Sequence, residues 1–252
     1  MNPVLLKLGP VSVYAYGTML ALAFGLGTFF AGREARARGI AEDHIYSLAL
    51  VFAVFGVAGA RALHVLLNLS YYLVNPLQIF ALRNGGLALH GGFVAAILAG
   101  VLYAKWQRLD AWELADFLPK WGVLGIGIVR FGCLMNGCCF GVRTDGPFGL
   151  DCSSLHDGLR HPTQLYEAGL DFLLFAFLLA NRRHRHFKGW PAWMMVGGYS
   201  VIRGFVEIWR YEPKFWGPFK LAQLVSIVLA VAAFAMIPYL DRRRQGAGNL
   251  SA

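Results

Sequence analysis

Charge is scarce in this 252-residue chain: charged side chains make up 15% of it, against 57% hydrophobic residues. Soluble domains carry about a quarter charged residues, so the shortage excludes an ordinary water-soluble domain. The mean hydropathy of +0.52 agrees. Long repeats, low-complexity tracts and polar linkers are also missing, so nothing marks a second domain on a tether. The opening stretch "MNPVLLKLGPVSVYAYG" lacks a compact basic start followed by a small-residue cleavage site. A removable leader is therefore not expected, and the first apolar span should remain in the protein. Cysteine is rare as well: there are four, and three of them crowd into "RFGCLMNGCCFG".

What the chain does have is long apolar runs bounded by charge. At about 20 residues per helical span, its length holds about six to eight crossings and little else. The runs lie near Val11 to Ala31, Ile45 to Leu67, Leu87 to Ala104, Trp112 to Phe131, Pro162 to Ala180, Pro191 to Ile208 and Leu221 to Leu240. Lys120 interrupts the fourth. The expected fold is all-α: a polytopic membrane protein of about seven transmembrane helices with a small extracytoplasmic loop region, residues 1–252 forming one integral membrane domain.

Charge orients these spans, because short loops rich in Lys and Arg stay in the cytoplasm. The basic clusters "GREARARG", "AKWQR", "NRRHRHFK" and "DRRRQ" follow the first, third, fifth and seventh runs and hold more than half of the 23 Lys and Arg residues. That predicts a multi-pass protein with its N-terminus outside and its C-terminus in the cytoplasm. The net charge of +9 is then explained by orientation and contact with membrane lipids rather than by nucleic acid, which is not an expected partner.

Several residues do not suit lipid. Arg61 and His64 fall in the second run, His90 at the mouth of the third, and Arg130 at the end of the fourth. Gln164, Tyr166 and Glu167 open the fifth, and Arg203 and Glu207 lie late in the sixth. An ionisable group at the centre of a membrane helix costs about 2.5–3.5 kcal/mol on insertion scales, so such residues usually face a bundle interior or a wet cavity. By the predicted orientation all except Arg61 and His64 lie near the outer end of a span. Arg203 and Glu207, four apart, can simply pair with each other. As a set, however, the arginines and histidines exceed what Glu167 and Glu207 neutralise. A surplus of guanidinium at an outer leaflet suits an anionic phospholipid headgroup, because the planar fork donates paired hydrogen bonds to phosphate.

In four separated places the sequence resembles the bacterial prolipoprotein diacylglyceryl transferases: "GPVSVYAYG", "NPLQIFALRNGGLALHGG", "HPTQLYEA" and "GYSVIRGFVEIWR". The resemblance implies transfer of the diacylglyceryl group of phosphatidylglycerol to the lipobox cysteine thiol of a prolipoprotein signal peptide, releasing glycerol phosphate, at a bacterial inner membrane and without a cofactor. On it, His90, Arg130 and Arg203 are the candidate catalytic residues. The arginines would hold the phosphate, and His90 would act as the thiol's base or as an orienting donor. Tyr16, Arg61, Asn136, Gly141, Glu167, Tyr199, Glu207 and Arg210 are the candidate substrate-binding residues, Arg61 in a looser match. Two alternatives stay open: a divergent member with another phospholipid or acceptor, and a non-enzymatic protein that binds or moves phospholipid.

The signature segment is where this sequence departs. The family pattern Gly-Arg-x-Gly-Asn-Phe-x-Asn-x-Glu-x-x-Gly meets "VRFGCLMNGCCFG" here, so Cys133 replaces an asparagine and Cys138 a glutamate. Three readings compete for Cys133, Cys138, Cys139 and Cys152. They can form disulfides that staple the loop on an oxidising face. They can bind metal with His156 or His161, although Cys-x4-Cys-Cys lacks the usual knuckle spacing and no metal is expected. Or one can be a reactive thiol beside Arg130.

Overall fold

A computed structural model describes residues 3–8, 11–81, 85–155, 157–183 and 187–249. Among them a hairpin, β1 (Val4–Leu8) and β2 (Val11–Tyr14), precedes nine helices. These are α1 (Ala15–Ala37), α2 (Glu42–Leu67), α3 (Leu69–Val74), α4 (Leu89–Trp106), α5 (Ala111–Ala115), α6 (Leu118–Met135), α7 (Thr163–Ala180), α8 (Trp190–Val206) and α9 (Leu221–Asn249).

Burial is reversed relative to a soluble protein. Leu50, Ile97, Leu173 and Val228 are each more than half exposed, while Gln164, Glu167, Asp171 and Glu207 are buried. Apolar side chains on the outside and polar ones within is what a hydrocarbon surround selects.

Among the described residues, five stretches are long and apolar enough to cross a membrane: α1, α2, α6, α7 and Leu221–Arg244 of α9. The expected count of seven is not reached on those criteria. The third and sixth expected spans are helices of 18 and 17 residues, α4 and α8. The ends also move. Val11–Tyr14 alternates as a strand and pairs antiparallel with β1, so α1 begins only at Ala15. The fourth run breaks into α5 and α6, with Pro119 in the first turn of α6. A proline interior to one continuous helix would remove a backbone hydrogen bond, so the chain restarts there.

The single domain expected from sequence meets a chain whose residues gather into two compact units. One unit comprises Met1–Phe30 with Ala115–Ala252, and the other Ala31–Leu114.

In the smaller unit, α2 and α4 run antiparallel along a seam of glycines. A Cβ on Gly91 would lie 2.4 Å from the Gly59 carbonyl oxygen, and one on Gly92 2.8 Å from that of Gly56. The two glycines of "HGG" are therefore what lets the backbones touch. Acidic Glu42 and Asp43 open α2, where they complement the helix dipole.

In the larger unit, α6, α7, α8 and α9 pack in succession. Gly127 meets Phe172, Gly198 meets Leu174, and Gly197 meets Phe234. Val123, Leu174, Leu178 and Trp190 form a buried apolar cluster. The antiparallel course of α6, α7 and α8 gathers the C-terminal ends of α6 and α8 at the N-terminal end of α7.

Candidate functional site

That gathered end carries the charges. On α7, Glu167 is buried, and its Oε1 accepts from Nη2 of Arg130 on α6 at 2.6 Å. The hydroxyl of Tyr199 on α8 donates to the same oxygen at 3.1 Å. The other oxygen, Oε2, faces Nη1 of Arg203 at 3.7 Å and Nη1 of Arg210 at 3.8 Å. Arg203 also pairs with Glu207 through Nη2, at 2.9 Å. One buried carboxylate thus sits among three guanidiniums, with Glu207 beside Arg203 and the exposed Glu212 3.6 Å from Nε of Arg210.

The distances matter for chemistry. Contacts of 3.7–3.8 Å are Coulombic but too long for hydrogen bonds. Nε of Arg130, Nη1 of Arg203 and Nε of Arg210 are buried and have no hydrogen-bond partner among the described residues. Both oxygens of Glu207 also lack a hydrogen bond despite the short approach of Arg203, so that pair is an ion pair with poor alignment. Buried donors are nearly always satisfied in proteins. Three buried guanidinium nitrogens without a hydrogen bond, on the three arginines that flank Glu167, are therefore donors available to an anion with several oxygens.

The loop between α6 and α7 is tied to this site from both sides. Gln164 donates to the Cys138 carbonyl and Thr163 to that of Cys139, each at 2.7 Å. Gly141 and Arg210 pair as an isolated antiparallel bridge, and the Gly141 amide donates to the His161 carbonyl at 2.9 Å. A Cβ at Gly141 would lie 2.7 Å from both His161 and the Trp209 carbonyl oxygen, so only glycine fits. Its role is this close approach, which positions Arg210. Asn136 caps the C-terminal end of α6, its backbone amide donating to the Gly132 carbonyl and that of Gly137 to the Leu134 carbonyl. Tyr16, in the first turn of α1, is 41% exposed and its backbone lies against Gly132.

Arg160 was not singled out by sequence and turns out to be the loop's strut. Its guanidinium lies between the rings of Phe140 and Tyr211, at 4.9 and 4.8 Å from their centroids, and donates to the Gly141 carbonyl. Asp157 accepts from it at 2.7 and 2.9 Å. Those hydrogen bonds, with a further one from Arg143, hold the Asp157 carboxyl well below the usual carboxylate range. Lys220 reaches the carbonyls of Glu207 and Arg210, and burial lowers its ammonium pKa. Asp171 was also missed: it stands one turn after Glu167 on α7, fully buried, with neither oxygen hydrogen-bonded. Its sequence signal was the four-residue spacing of two acids in one apolar run.

In the smaller unit the picture differs. Arg61 and His64 occupy the last two turns of α2, at the same end of the pair as His90 in the first turn of α4. This corrects the expectation that they sit deeper in the span. Arg61 is buried and donates from Nε to Ile79 at 2.8 Å, and from Nη1 to Gly85 and Gly86 at 2.7 and 2.9 Å. Its Nη2 donates to the Gln78 carbonyl, and Tyr72 lies 5.3 Å away beneath the guanidinium. All three nitrogens serve the carbonyls of Gln78, Ile79, Gly85 and Gly86. Arg61, a substrate-binding candidate by sequence, thus spends its donors on backbone carbonyls. His90 is exposed.

The four cysteines are free thiols, so of the three readings the disulfide staple is not formed here. Cys152 stands apart, buried with its thiol toward the Arg160 and His161 carbonyls. Cys133, Cys138 and Cys139 place their Sγ atoms within 4.8 Å of one another. Of the two histidines considered beside them, His156 lies outside the described residues, and His161 bonds Tyr166 at 3.1 Å.

Residues 3–239 match the family described as prolipoprotein diacylglyceryl transferase. Among similar curated proteins, the phosphatidylglycerol–prolipoprotein diacylglyceryl transferase of Clostridioides difficile is 34% identical over 97% of this chain and 98% of its own length. Its namesake in Geobacter sulfurreducens is 34% identical over 98% of each chain. That of Bacillus cereus strain ATCC 14579 is 35% identical over 98% of this chain and 94% of its own.

Proposed function

Starting from the prolipoprotein diacylglyceryl transferase family, to which this chain belongs, we propose that it moves the diacylglyceryl group of phosphatidylglycerol onto the lipobox cysteine of a prolipoprotein. The acceptor thiolate attacks the diacylglyceryl carbon that bears the phosphate. A carbon–sulfur bond forms, the carbon–oxygen bond breaks, and glycerol phosphate leaves with the electron pair. Negative charge accumulates on the phosphate oxygens as that bond breaks.

The observation that carries this reading is the set of unsatisfied nitrogens on Arg130, Arg203 and Arg210 around Glu167. They answer a growing charge of that shape without reorganisation, and such preorganised electrostatics commonly contribute more than any other effect to enzymatic rate enhancement. Glu167 holds the three cations together, and Tyr199 orients its oxygen. His90 serves as the base for the acceptor thiol, whose ordinary pKa of about 8.5 leaves little thiolate at neutral pH. The chain works as a seven-helix protein of a bacterial inner membrane, N-terminus outside and C-terminus in the cytoplasm, with α4 and α8 as the two further crossings.

The test is transfer by purified protein in detergent, with phosphatidylglycerol and a synthetic lipobox peptide, following glycerol phosphate release and peptide mass together. Both products are expected, and His90→Gln should slow both. Headgroup release without peptide modification would mean a different acceptor. Lipid binding with neither product would point to a carrier.

A further inference from the structure

We propose that Cys133, Cys138 and Cys139 form a three-thiolate site for a thiophilic d10 metal ion of the zinc, cadmium or copper(I) kind. The cluster is made of sulfur alone among the described residues, and its three Sγ atoms lie within 4.8 Å of one another. Three sulfurs about 2.3 Å from a common centre stand somewhat under 4 Å apart, so only a small contraction closes the site around an ion. Thiolates select such ions over magnesium or calcium, which take oxygen ligands.

The backbone arranges the convergence. Side chains of neighbouring residues in extended chain point to opposite sides. Cys138 and Cys139 nevertheless both turn toward Cys133, because Gly137 has φ +65° and Cys139 φ +64°. A left-handed conformation at a non-glycine residue is strained and persists only where its surroundings fix it. Here they do: the Cys138 amide donates to the Cys133 carbonyl at 3.1 Å, and Gln164 and Thr163 clamp the next two carbonyls.

Charge favours it too. Arg130 and Arg210 both act electrostatically on Cys139, which suits thiolates carrying a net negative charge after an ion binds. A disulfide would use two thiols and leave the third beside it, and one between neighbours 138 and 139 would close a small strained ring. A metal uses all three. Binding requires the thiols to lose their protons, so up to three protons are released per ion.

The proposal stands apart from the transferase reading, because its test contains neither lipid nor acceptor. Full-length protein, reduced in detergent and freed of reductant under anaerobic conditions, is titrated with Cd2+. A near-ultraviolet sulfur-to-cadmium absorption that saturates at one equivalent, with proton release, is expected. X-ray absorption of the zinc-loaded protein should show three sulfurs at about 2.3 Å. Cys138→Ser and Cys139→Ser, checked for intact helical circular dichroism, should each bind at least tenfold more weakly, and Cys152→Ser should bind as the parent does. No saturable absorption, undiminished binding in both variants, or a stable disulfide between any two of the three in protein isolated without reductant overturns it.

Discussion

Arg61 and Arg203 are both arginines near the ends of apolar helices, and the structure uses them in opposite ways. Arg61 gives its three nitrogens to four carbonyls of one loop. Arg203 shares carboxylates with Arg130 and Arg210 and keeps a buried nitrogen without a hydrogen bond. A saturated guanidinium holds backbone in place, whereas an unsatisfied one among like charges awaits a ligand. By sequence the two look alike, since both are simply cations in lipid. The distinction lies in which of their donors are already used.

The widest separation between the two settings should come from removing each in turn. Arg130→Ala and Arg203→Ala are expected to cut diacylglyceryl transfer by at least about a hundredfold per folded molecule; each also lowers the thermal unfolding midpoint, because Arg130 is the hydrogen-bond partner of buried Glu167 and Arg203 the ion-pair partner of buried Glu207. Wild-type transfer in either would remove the arginine cluster from the chemistry. Arg61→Ala should differ in sparing the activity. It strands several carbonyls and is expected to destabilise the protein by about 2–4 kcal/mol, read as a lower midpoint in detergent. Activity per folded molecule should stay within tenfold. A hundredfold loss of activity with an unchanged midpoint would return Arg61 to the substrate.

Much of the arrangement was legible beforehand, for reasons that can be traced. Apolar runs located α1, α2, α4, α7, α8 and α9 because the bilayer sets their length. The runs did not reveal the β1–β2 hairpin, since Val-Ser-Val-Tyr joins an apolar run without a composition change. They also did not reveal the break before α6, where the signal was Pro119 rather than Lys120. Arg130, Glu167, Tyr199, Arg203, Glu207 and Arg210 were all named from sequence, and the structure brings them together. Asp171 was missed although its spacing from Glu167 was visible in the sequence, and Arg160 because it draws its meaning from neighbours distant in sequence. Phe140 and Tyr211, which enclose Arg160, are separated from it by 20 and 51 positions.

The glycine seam gives a smaller effect that sharpens what Arg61 is for. Gly91→Ala places a Cβ against the Gly59 carbonyl and forces α2 and α4 apart. The expected cost is about 1–3 kcal/mol, typical of overpacking. Because Ala88 donates to the Ala60 carbonyl at 2.9 Å beside Arg61, that separation should also loosen Arg61's hold on Gln78, Ile79, Gly85 and Gly86. The cost in the Gly91→Ala, Arg61→Ala double variant is then expected to be less than the sum of the singles. Strict additivity would mean that the seam and the staple act independently.

The smallest effect concerns an arginine held outside the membrane. Arg160 is held by Asp157, whose carboxyl is kept below its ordinary value by hydrogen bonds from Arg160 and Arg143. A depressed folded-state pKa stabilises the fold at all pH values above the unfolded carboxylate value of about 4. That contribution is lost as pH falls from there through the folded value. Asp157→Asn should therefore lower the unfolding midpoint at neutral pH, and the difference from the parent should shrink on acidification below about pH 4. Asp157 is open to solvent, so added salt should weaken the effect at neutral pH as well. A difference that grew on acidification would mean that Asp157 is stabilised in its protonated form. Arg160 would then be held by the rings of Phe140 and Tyr211 and the Gly141 carbonyl alone, as Arg61 is held by backbone and Tyr72 without any carboxylate.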